Sequence, residues 1–439
     1  MESLLSSTMG NPLGRQLTVL FAPAHIRIDE SEGGSEFYWS YKLIERLALD
    51  HGVQCIALTI QPHVEHQLPG VRFMSVEPGG RLPTSNLDSL RFHLRCYGLA
   101  RRVLASGEHV DVIHHMLPFG FRSTFNMLAL RRHHADPPMV IGPLQAPLSF
   151  GGADEKGVSV RDLSERSSPV ASRLHSIPPL STFITTPALS MLSAQTLRHA
   201  TARVTTSERA ARLYRSYTGL EDFSVISPGV DTDQFTSDSM QSITTRRQQG
   251  DGAIRIVAVG YLIRRKAFDV LIEAIAVLVK AGVQVRLCLV GEGPARPELE
   301  SLVRWLGVES YVTFAGHVAH SSIRDVYRAS DIFCSTSRSE GFSTVCLEAL
   351  ACGLPIVATP TGGFREILCH HDVGRLISFG AVDELAQTLA ELIMQPQLRI
   401  TMGQRAREVA VREYDWRIIA QRYLSIYNTV LQPIKTVNS

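Results

Sequence analysis

The sequence contains no run of about 18 uncharged apolar residues, no Cys-x-x-Cys pair and no strong excess of one charge. The first absence argues against a membrane-spanning helix. Residues Met1–Gly10 also show no basic stretch followed by an apolar core, so we expect no secretory signal. The seven cysteines are scattered, several of them within apolar runs, as is typical of a reduced chain. We therefore expect a cytoplasmic protein.

The charges nearly cancel, since 44 Lys and Arg residues face 42 Asp and Glu residues. This balance argues against bulk binding of nucleic acid. Residues 81–135 are nevertheless rich in arginine and histidine and contain few acids. Two alternatives remain for this basic region. It lies against anionic lipid or an anionic acceptor, which would place the protein at the inner face of the membrane, or it is an ordinary solvated surface.

The length of 439 residues predicts two or three domains. Predicted strands alternate with predicted helices on both sides of a Ser-, Thr-, Gln- and Gly-rich segment, residues 236–252, which reads as a linker. Such alternation is typical of parallel α/β sheets. The irregular segment Ser149–Pro179 is long for an internal loop, and we expect it to be functional or mobile.

The stretch Asp331–Gly363 contains the densest signal. Asp331–Thr336 and Pro355–Thr359 read as buried strands, and Ser343–Cys352 between them reads as a helix. A strand, a helix and a strand in this order form a parallel crossover unit. The beginning of the helix then lies at the carboxyl end of a strand, where anions bind.

Two glutamates, Glu340 and Glu348, stand eight residues apart in this stretch. In the simplest interpretation, Ser337 and Glu340 form a capping box and Glu348 is a solvated helix residue. Apolar residues flank Glu348 on both sides, however, so we expect its helix to be largely buried. A buried carboxylate needs a partner, which favours a functional interpretation.

The same stretch resembles the signature of retaining glycosyltransferase family 4, one of the group 1 glycosyltransferases. The matching positions are Ser337, Glu340, Gly341, Phe342, Glu348, Ala349, Ala351, Gly353, Pro355, Gly362 and Gly363. The resemblance implies the GT-B fold, an α/β fold in which two Rossmann-like domains face each other across a cleft. It also implies transfer of a sugar from a UDP- or GDP-linked donor to a glycan, lipid-linked or small-molecule acceptor, without metal or other cofactor. No Asp-x-Asp stands beside the phosphate-binding candidates.

For individual residues, the resemblance implies that Glu340 holds hydroxyls of the donor sugar and that Glu348 holds the ribose. The segment from Gly341 to Val345 would face the donor diphosphate, because free amides and the helix dipole favour an anion there. The residues of this segment are Gly341, Phe342, Ser343, Thr344 and Val345.

Further candidates lie at other strand ends. Gly33 and Gly34 form a double glycine between a strand and a helix, where backbone amides can approach a phosphate. In the family a similar loop closes over the diphosphate. Gly291, in Gly-Glu-Gly-Pro, and Val318 resemble positions beside the nucleotide. His114 ends an Asp-Val-Ile-His run that lines the acceptor side in the family, although a strand-end histidine is equally compatible with a structural role.

The turn Arg264-Arg265-Lys266 follows a predicted strand, where cations would neutralise a leaving diphosphate. Lys266 matches the lysine of the family. Tyr261 stands where the family has an arginine, so either Arg264 or Arg265 must supply the missing charge.

These observations predict an N-terminal acceptor-side domain over 1–235, the linker 236–252, a donor-binding domain over 253–414, and a helix over 415–439 that crosses back to the first domain. Two alternatives to a transferase remain: a sugar-nucleotide epimerase or phosphorylase on the same fold, and a non-catalytic carbohydrate-binding descendant, which Tyr261 would favour.

Overall fold

A computed structural model describes residues 15–25, 27–29, 36–77, 86–116, 125–131, 133, 135–146, 180–237 and 252–432. These residues form two compact units. Unit 1 comprises 15–145, 180–227 and 417–432, and unit 2 comprises Ala146 and 228–416. Gly33, Gly34, most of the predicted linker and all of the segment 149–179 lie outside the described residues. The domain boundaries at 236, 253 and 415 stay predictions.

Unit 1 is built on a parallel sheet with the strand order β5-β3-β1-β6-β7-β8-β9, flanked by helices. Its strands are β1 (Thr18–Phe21), β3 (Gln54–Thr59), β5 (Val71–Ser75), β6 (Val112–His115), β7 (Met139–Leu144), β8 (Ala202–Thr205) and β9 (Ser224–Val225), with a separate pair of β2 (Arg27–Asp29) and β4 (Gln61–His63). Its helices are α1 (Glu36–His51), α2 (Asn86–Ala105), α3 (Met127–Leu130), α4 (Leu180–His199) and α5 (Glu208–Thr218).

Unit 2 is built on a second parallel sheet, with the order β12-β11-β10-β13-β14-β15. Its strands are β10 (Ile254–Val259), β11 (Val285–Val290), β12 (Val312–Gly316), β13 (Ile332–Ser335), β14 (Ile356–Ala358) and β15 (Gly374–Leu376). Its helices are α6 (Phe268–Lys280), α7 (Arg296–Leu306), α8 (His320–Arg328), α9 (Thr344–Ala351), α10 (Gly363–His370), α11 (Val382–Met394) and α12 (Pro396–Val409), and α13 (Trp416–Leu431) then returns the chain to unit 1.

The apolar pattern of β10 explains why helices cover both faces of this sheet. Ile254, Ile256 and Ala258 pack into one hydrophobic core, together with α6. Val257, which points to the opposite face, packs into a second core with α9. A strand that is buried on both sides reads as a continuous apolar run, and its neighbours are parallel strands joined by helices. The predicted α/β class is therefore confirmed in both units.

The two segments through which the chain enters and leaves unit 2 are hydrogen-bonded to each other. The amide of Val230 donates to the carbonyl of Tyr414 at 2.8 Å, and the amide of Trp416 donates to the carbonyl of Val230 at 3.2 Å. A Cβ at Gly229 would come within 2.6 Å of the Trp416 ring. Packing against this tryptophan therefore requires glycine at position 229.

The predicted strands Asp331–Thr336 and Pro355–Thr359 and the predicted helix Ser343–Cys352 agree with β13, β14 and α9 to within one residue at each end. After α12, the turn Ala410–Tyr414 widens into a π-helix. Among the helices of the described ranges, none is long and apolar enough to cross a membrane.

Candidate functional site

The loop after β13 is tied to the turn after β10. Residues Asp331 to Ser335 lead into this loop. The hydroxyl of Thr336, the next residue, donates to the carbonyl of Ala267 at 2.8 Å. The amide of Arg338 donates to the carbonyl of Arg265 at 2.8 Å. Because β10 and β13 are parallel neighbours, their carboxyl ends meet at the same sheet edge. The turn with three basic residues and the loop with Glu340 therefore form one structure.

Glu340 is the centre of this structure and is only 7% exposed. The Lys266 ammonium lies 2.6 Å from its Oε1 atom, and the Arg265 guanidinium lies 3.2 Å from its Oε2 atom. Burial alone would raise the pKa of the Glu340 carboxyl. The charge and hydrogen bond of Lys266, then the Ser337 hydroxyl and the Arg265 charge, outweigh burial and hold this pKa below its ordinary value.

This geometry rejects the capping-box interpretation of Glu340. The helix α9 begins at Thr344, four residues after Glu340, and its preceding residue Ser343 makes no side-chain capping bond. Glu340 therefore does not occupy the third helical position that a capping box needs. Its carboxylate instead faces two cations.

Two of the three basic residues of the turn share a partner, and the third has a different one. Arg265 and Lys266 both contact Glu340, and Arg265 also donates to the carbonyl of Ser339. Arg264 is about half exposed and pairs with Glu298 at 3.0 Å. Tyr261 is 60% exposed. Of the two arginines that could replace a charge at position 261, the structure brings Arg265 to Glu340 and leaves Arg264 on the outside of the turn.

Two glycines bring a second helix against the same loop. A Cβ at Gly362 would lie 3.0 Å from the Cβ of Glu340 and 3.0 Å from the carbonyl oxygen of Gly341. A Cβ at Gly363 would lie 2.5 Å from the Phe342 ring. The beginning of α10 thus packs directly on the Gly341–Ser343 segment, just before the beginning of α9. Helix beginnings carry partial positive charge, so this edge favours an anion.

Glu348 lies on α9 and is 5% exposed, as the apolar flanks predicted. Its Oε2 atom accepts a hydrogen bond from the Tyr327 hydroxyl at 2.8 Å, and its Oε1 atom lies 3.4 Å from the Nε2 atom of His320. Both partners belong to α8, which packs on α9. The Glu348 carboxylate therefore contacts a tyrosine hydroxyl and a histidine ring, whereas the Glu340 carboxylate contacts a lysine and an arginine.

The other candidates in unit 2 have mainly structural surroundings. Gly291 has a φ of +132°, and a Cβ there would overlap the carbonyl oxygen of Gly260. A Cβ at Gly293 would likewise overlap the carbonyl oxygen of Leu262, at 2.4 Å. The Gly-Glu-Gly-Pro segment therefore needs glycines to approach the turn after β10. Val318 is half-buried and packs on the core beneath α9.

His114, the candidate in unit 1, is fully buried at the end of β6. Its Nε2 atom donates to the carbonyl of Gly142 at 2.9 Å, and its Nδ1 atom lies 2.7 Å from the hydroxyl of Tyr427. Burial lowers its pKa to about 3, with the Gly142 bond opposing the shift. Because both ring nitrogens are occupied, the geometry favours the structural role for His114 over a direct role at an acceptor.

Comparisons with known proteins agree with this geometry. Residues 242–409 match the model of the family described as glycosyl transferases group 1. The resemblance drawn from Asp331–Gly363, a stretch that lies within these residues, is confirmed.

Among curated proteins, D-inositol 3-phosphate glycosyltransferase of Kribbella flavida is 34% identical over 219 residues, 47% of this chain and 51% of that protein. A GDP-mannose-dependent alpha-(1-6)-phosphatidylinositol monomannoside mannosyltransferase of Mycobacterium tuberculosis is 30% identical over 203 residues, 44% of this chain and 53% of that protein. The chain thus spans about half the length of the curated relatives it matches.

Solved structures resemble nearly the whole chain. Sucrose-phosphate synthase from Thermosynechococcus elongatus aligns with a TM-score of 0.67 and 20% identity, over 95% of this chain and 99% of that one. Anabaena HepE in complex with UDP aligns with a TM-score of 0.63 and 21% identity, over 94% of this chain and all of the other. At these identities the likeness concerns the fold, and it confirms the predicted GT-B class.

The sequence alone did not single out His320, Tyr327 or a group of buried histidines in unit 1. A signal for the first two exists, since His320, Ile323 and Tyr327 recur at the spacing of one helix face. No comparable signal exists for His93, which approaches His115 only through the packing of α2 on the sheet.

Proposed function

We propose that this protein is a retaining glycosyltransferase that moves a sugar from a nucleotide-diphosphate sugar to an acceptor hydroxyl. The observation that carries the proposal is the contact of Lys266 and Arg265 with a buried Glu340, beside the beginning of α9. Two cations, a carboxylate and a helix beginning at one edge of a parallel sheet suit a ligand that combines a diphosphate with sugar hydroxyls.

In the proposed reaction, the bond between the anomeric carbon and the diphosphate oxygen breaks, and a bond to the acceptor oxygen forms on the same face of the sugar. The acceptor proton leaves with the diphosphate or to solvent. Negative charge grows on the leaving diphosphate, and Lys266, Arg265 and the amides from Phe342 to Val345 stabilise it. An ammonium group has three donors, so Lys266 can contact Glu340 and a phosphate oxygen together.

The two glutamates have different proposed roles. Glu340, with cations on both oxygens, accepts hydrogen bonds from hydroxyls of the donor sugar. Glu348, eight residues further along the chain and within α9, accepts hydrogen bonds from the ribose. Gly33 and Gly34, which lie outside the described residues, stay candidates from the sequence for contact with the diphosphate. Gly291 and Val318 would support the nucleotide side through the packing described above.

We infer that the donor is linked to UDP or GDP. The relative from Mycobacterium tuberculosis is named as dependent on GDP-mannose, and HepE is described in complex with UDP. In our proposal, residues 253–414 bind this donor, residues 1–235 bind the acceptor, 236–252 link the two, and 415–439 return to the first domain. The acceptor is a glycan, a lipid-linked molecule or a small molecule.

Contact with an anionic membrane surface is part of the proposal and rests on α2. Its exposed residues include Leu90 and Leu94, four residues apart, beside Arg91 and Arg95. A face that alternates leucine with arginine suits the interface of anionic lipid. Arg95 also pairs with Glu77, so electrostatic attraction is moderated. In a sedimentation assay, the protein should pellet with phosphatidylglycerol vesicles and should stay in the supernatant with phosphatidylcholine vesicles. Leu94→Glu should reduce the fraction of protein that pellets with phosphatidylglycerol vesicles.

The test of the function is an assay of the purified full chain with a panel of UDP- and GDP-sugars, in the presence and absence of acceptors. We expect acceptor-dependent release of nucleoside diphosphate, with retention at the anomeric carbon seen by NMR. Isomerisation of the sugar nucleotide without acceptor would instead indicate an epimerase. Phosphate-dependent glycosyl transfer would indicate a phosphorylase, and ligand binding without turnover would indicate a carbohydrate-binding descendant.

A further inference from the structure

The helix α8 presents one buried face to α9. Its residues His320, Ile323 and Tyr327 recur at steps of three and four, so they lie on the same side of the helix. Tyr327 is fully buried, and its ring contacts those of Phe235 and Phe333. The polar atoms on this face therefore point into the interior, where each of them needs a partner.

Both polar side chains of this face converge on Glu348. Tyr327 donates to one carboxylate oxygen at 2.8 Å, and the His320 Nε2 atom lies 3.4 Å from the other. Burial, followed by the charge of Glu348, holds the pKa of Tyr327 well above its ordinary value, so this side chain remains a protonated donor. One contact on each oxygen fixes the plane of the carboxylate.

The orientation of His320 has its own support. The side-chain amide of Gln234 lies 3.5 Å from the Nδ1 atom of His320 and donates to the His320 carbonyl at 3.3 Å. A donor at Nδ1 leaves the ring proton on Nε2, the atom that faces Glu348. The backbone of Gln234 is in turn fixed by Asp231, whose side-chain carboxylate accepts a hydrogen bond from the backbone amide of Gln234 at 3.0 Å.

A carboxylate has about four acceptor sites, and two of them are used by Tyr327 and His320. Considering partners among the described residues, one further site remains on each oxygen. Two adjacent hydroxyls on one ring match such a pair of acceptors, and the ribose of a nucleotide carries them at its 2′ and 3′ positions. A ligand without the 2′-hydroxyl would leave one oxygen of a buried carboxylate without this bond.

We propose that Tyr327 and His320 are positioning residues that orient Glu348 toward the 2′,3′-diol of the donor ribose, with Gln234 setting the tautomer of His320. The inference rests on the proposed function, because it assumes that Glu348 faces the nucleotide. It adds a selectivity: the protein discriminates ribonucleotides from 2′-deoxyribonucleotides, and these two side chains produce the discrimination through Glu348.

The experiment is a calorimetric titration of the full chain with UDP, GDP and their 2′-deoxy counterparts. For the wild type we expect the 2′-deoxy form to bind about tenfold or more weakly, as expected for a lost hydrogen bond to a charged group. Tyr327→Phe keeps the ring and removes the hydroxyl, and His320→Ala removes the second donor. Both should reduce the ratio of the two dissociation constants by about threefold or more, mainly by weakening the ribose form.

Two further variants separate positioning from stability. His320→Gln retains an N–H donor near the Nε2 position and should restore the ratio. Tyr311→Phe removes a tyrosine hydroxyl elsewhere in unit 2, where the ring packs on the other hydrophobic core, and should leave the ratio unchanged. A reduced ratio in Tyr327→Phe and His320→Ala, with recovery in His320→Gln, supports the inference.

A wild-type ratio in Tyr327→Phe and His320→Ala overturns the inference and leaves the proposed function standing. Equal weakening of both nucleotide forms likewise indicates a merely structural role and overturns it. If the wild type binds neither UDP nor GDP, the proposed function fails and this inference fails with it, an outcome distinct from the other two.

Discussion

Units 1 and 2 share a parallel α/β architecture, yet the side chains near their strand ends differ in charge. In unit 1 these include four buried histidines, and burial lowers the pKa of each one. They are His25, His93, His114 and His115. In unit 2 the corresponding edge holds a charged group, Lys266, Arg265 and Glu340, in mutual contact. The same topology thus supports a group of neutral histidines in one unit and a charged group in the other.

This difference indicates that the edge of a parallel sheet does not by itself supply the positive charge that a diphosphate site needs. Unit 2 tolerates these charged side chains because each lies within hydrogen-bond distance of an opposite charge, and this attraction offsets the cost of burial. Burial lowers the pKa of the four histidines of unit 1, so they stay neutral near pH 7. We therefore propose that a ligand with two negative phosphates binds beside the cations of unit 2.

The largest expected effect comes from removing the lysine of this charged group. Lys266→Ala should lower the turnover number by about a hundredfold or more, because loss of one stabilising contact to a leaving oxyanion has that magnitude. Lys280→Ala, an exposed lysine at the end of α6, is the matched control and should be near normal. Steady-state kinetics on the two variants is the measurement, and normal turnover in Lys266→Ala would remove this residue from the reaction.

The second prediction separates the two glutamates. Glu340→Gln should reduce turnover strongly and leave the affinity for nucleoside diphosphate near that of the wild type, because its proposed partner is the sugar. Glu348→Ala should weaken nucleoside diphosphate binding by about tenfold or more, because a hydrogen-bonded charge at the ribose is lost. Kinetics together with calorimetry distinguishes the two. Identical effects of both variants on affinity would contradict the division of roles.

The third prediction uses two neighbouring arginines as a matched pair. Arg265→Ala should reduce turnover by about tenfold or more, since it removes a cation from the charged group. Arg264→Ala should change turnover little, because its exposed pair with Glu298 contributes at most about 1 kcal/mol of stability. The same kinetic assay decides between them. A larger loss in Arg264→Ala would reverse our assignment of the charge that position 261 lacks.

The smallest effect concerns acid stability, and it distinguishes the two units. Burial lowers the pKa of His114 to about 3 and that of His93 to about 4, from an ordinary 6.5. Below pH 6.5 the unfolded chain binds protons that the folded unit 1 does not, so each such histidine costs up to about 1.4 kcal/mol of stability per pH unit.

For Glu340 the sign is opposite, because its pKa is lowered below an ordinary 4.5. Its contribution to stability is complete above that value and is lost only as the pH falls further. Between pH 6.5 and 4.5 we therefore expect unit 1 to lose hydrogen-exchange protection, after correction for intrinsic rates, before unit 2 does. Earlier loss of protection in unit 2 would contradict this order.

Much of the fold could be predicted from the sequence because local patterns and the tertiary structure agree. Strands buried on both faces appear as apolar runs, and Gly353 and Pro355 mark the end of α9 as clearly as its helix formers mark its interior. Glu348 could be found because a carboxylate flanked by apolar residues is unusual, and Glu340 because it stands in the motif that resembles the family.

The partners of these residues could not be predicted, because contacts between elements depend on packing rather than on spacing. Neither the choice between Arg264 and Arg265 nor the pairing of Tyr327 with Glu348 is encoded within one element. The need for glycine at 291 arises only where the carbonyl of Gly260 approaches it. His114 was ambiguous from the sequence for the same reason, since Tyr427 is more than 300 residues away.

The central claim is that a nucleoside diphosphate binds at the edge of unit 2 formed by the turn after β10 and the loop after β13. Hydrogen exchange with mass spectrometry, on the full chain with and without saturating UDP or GDP, tests it directly. We predict the largest gain in protection at residues 261–267 and 337–348. No change with either nucleotide, or a largest gain elsewhere in the chain, would contradict the claim.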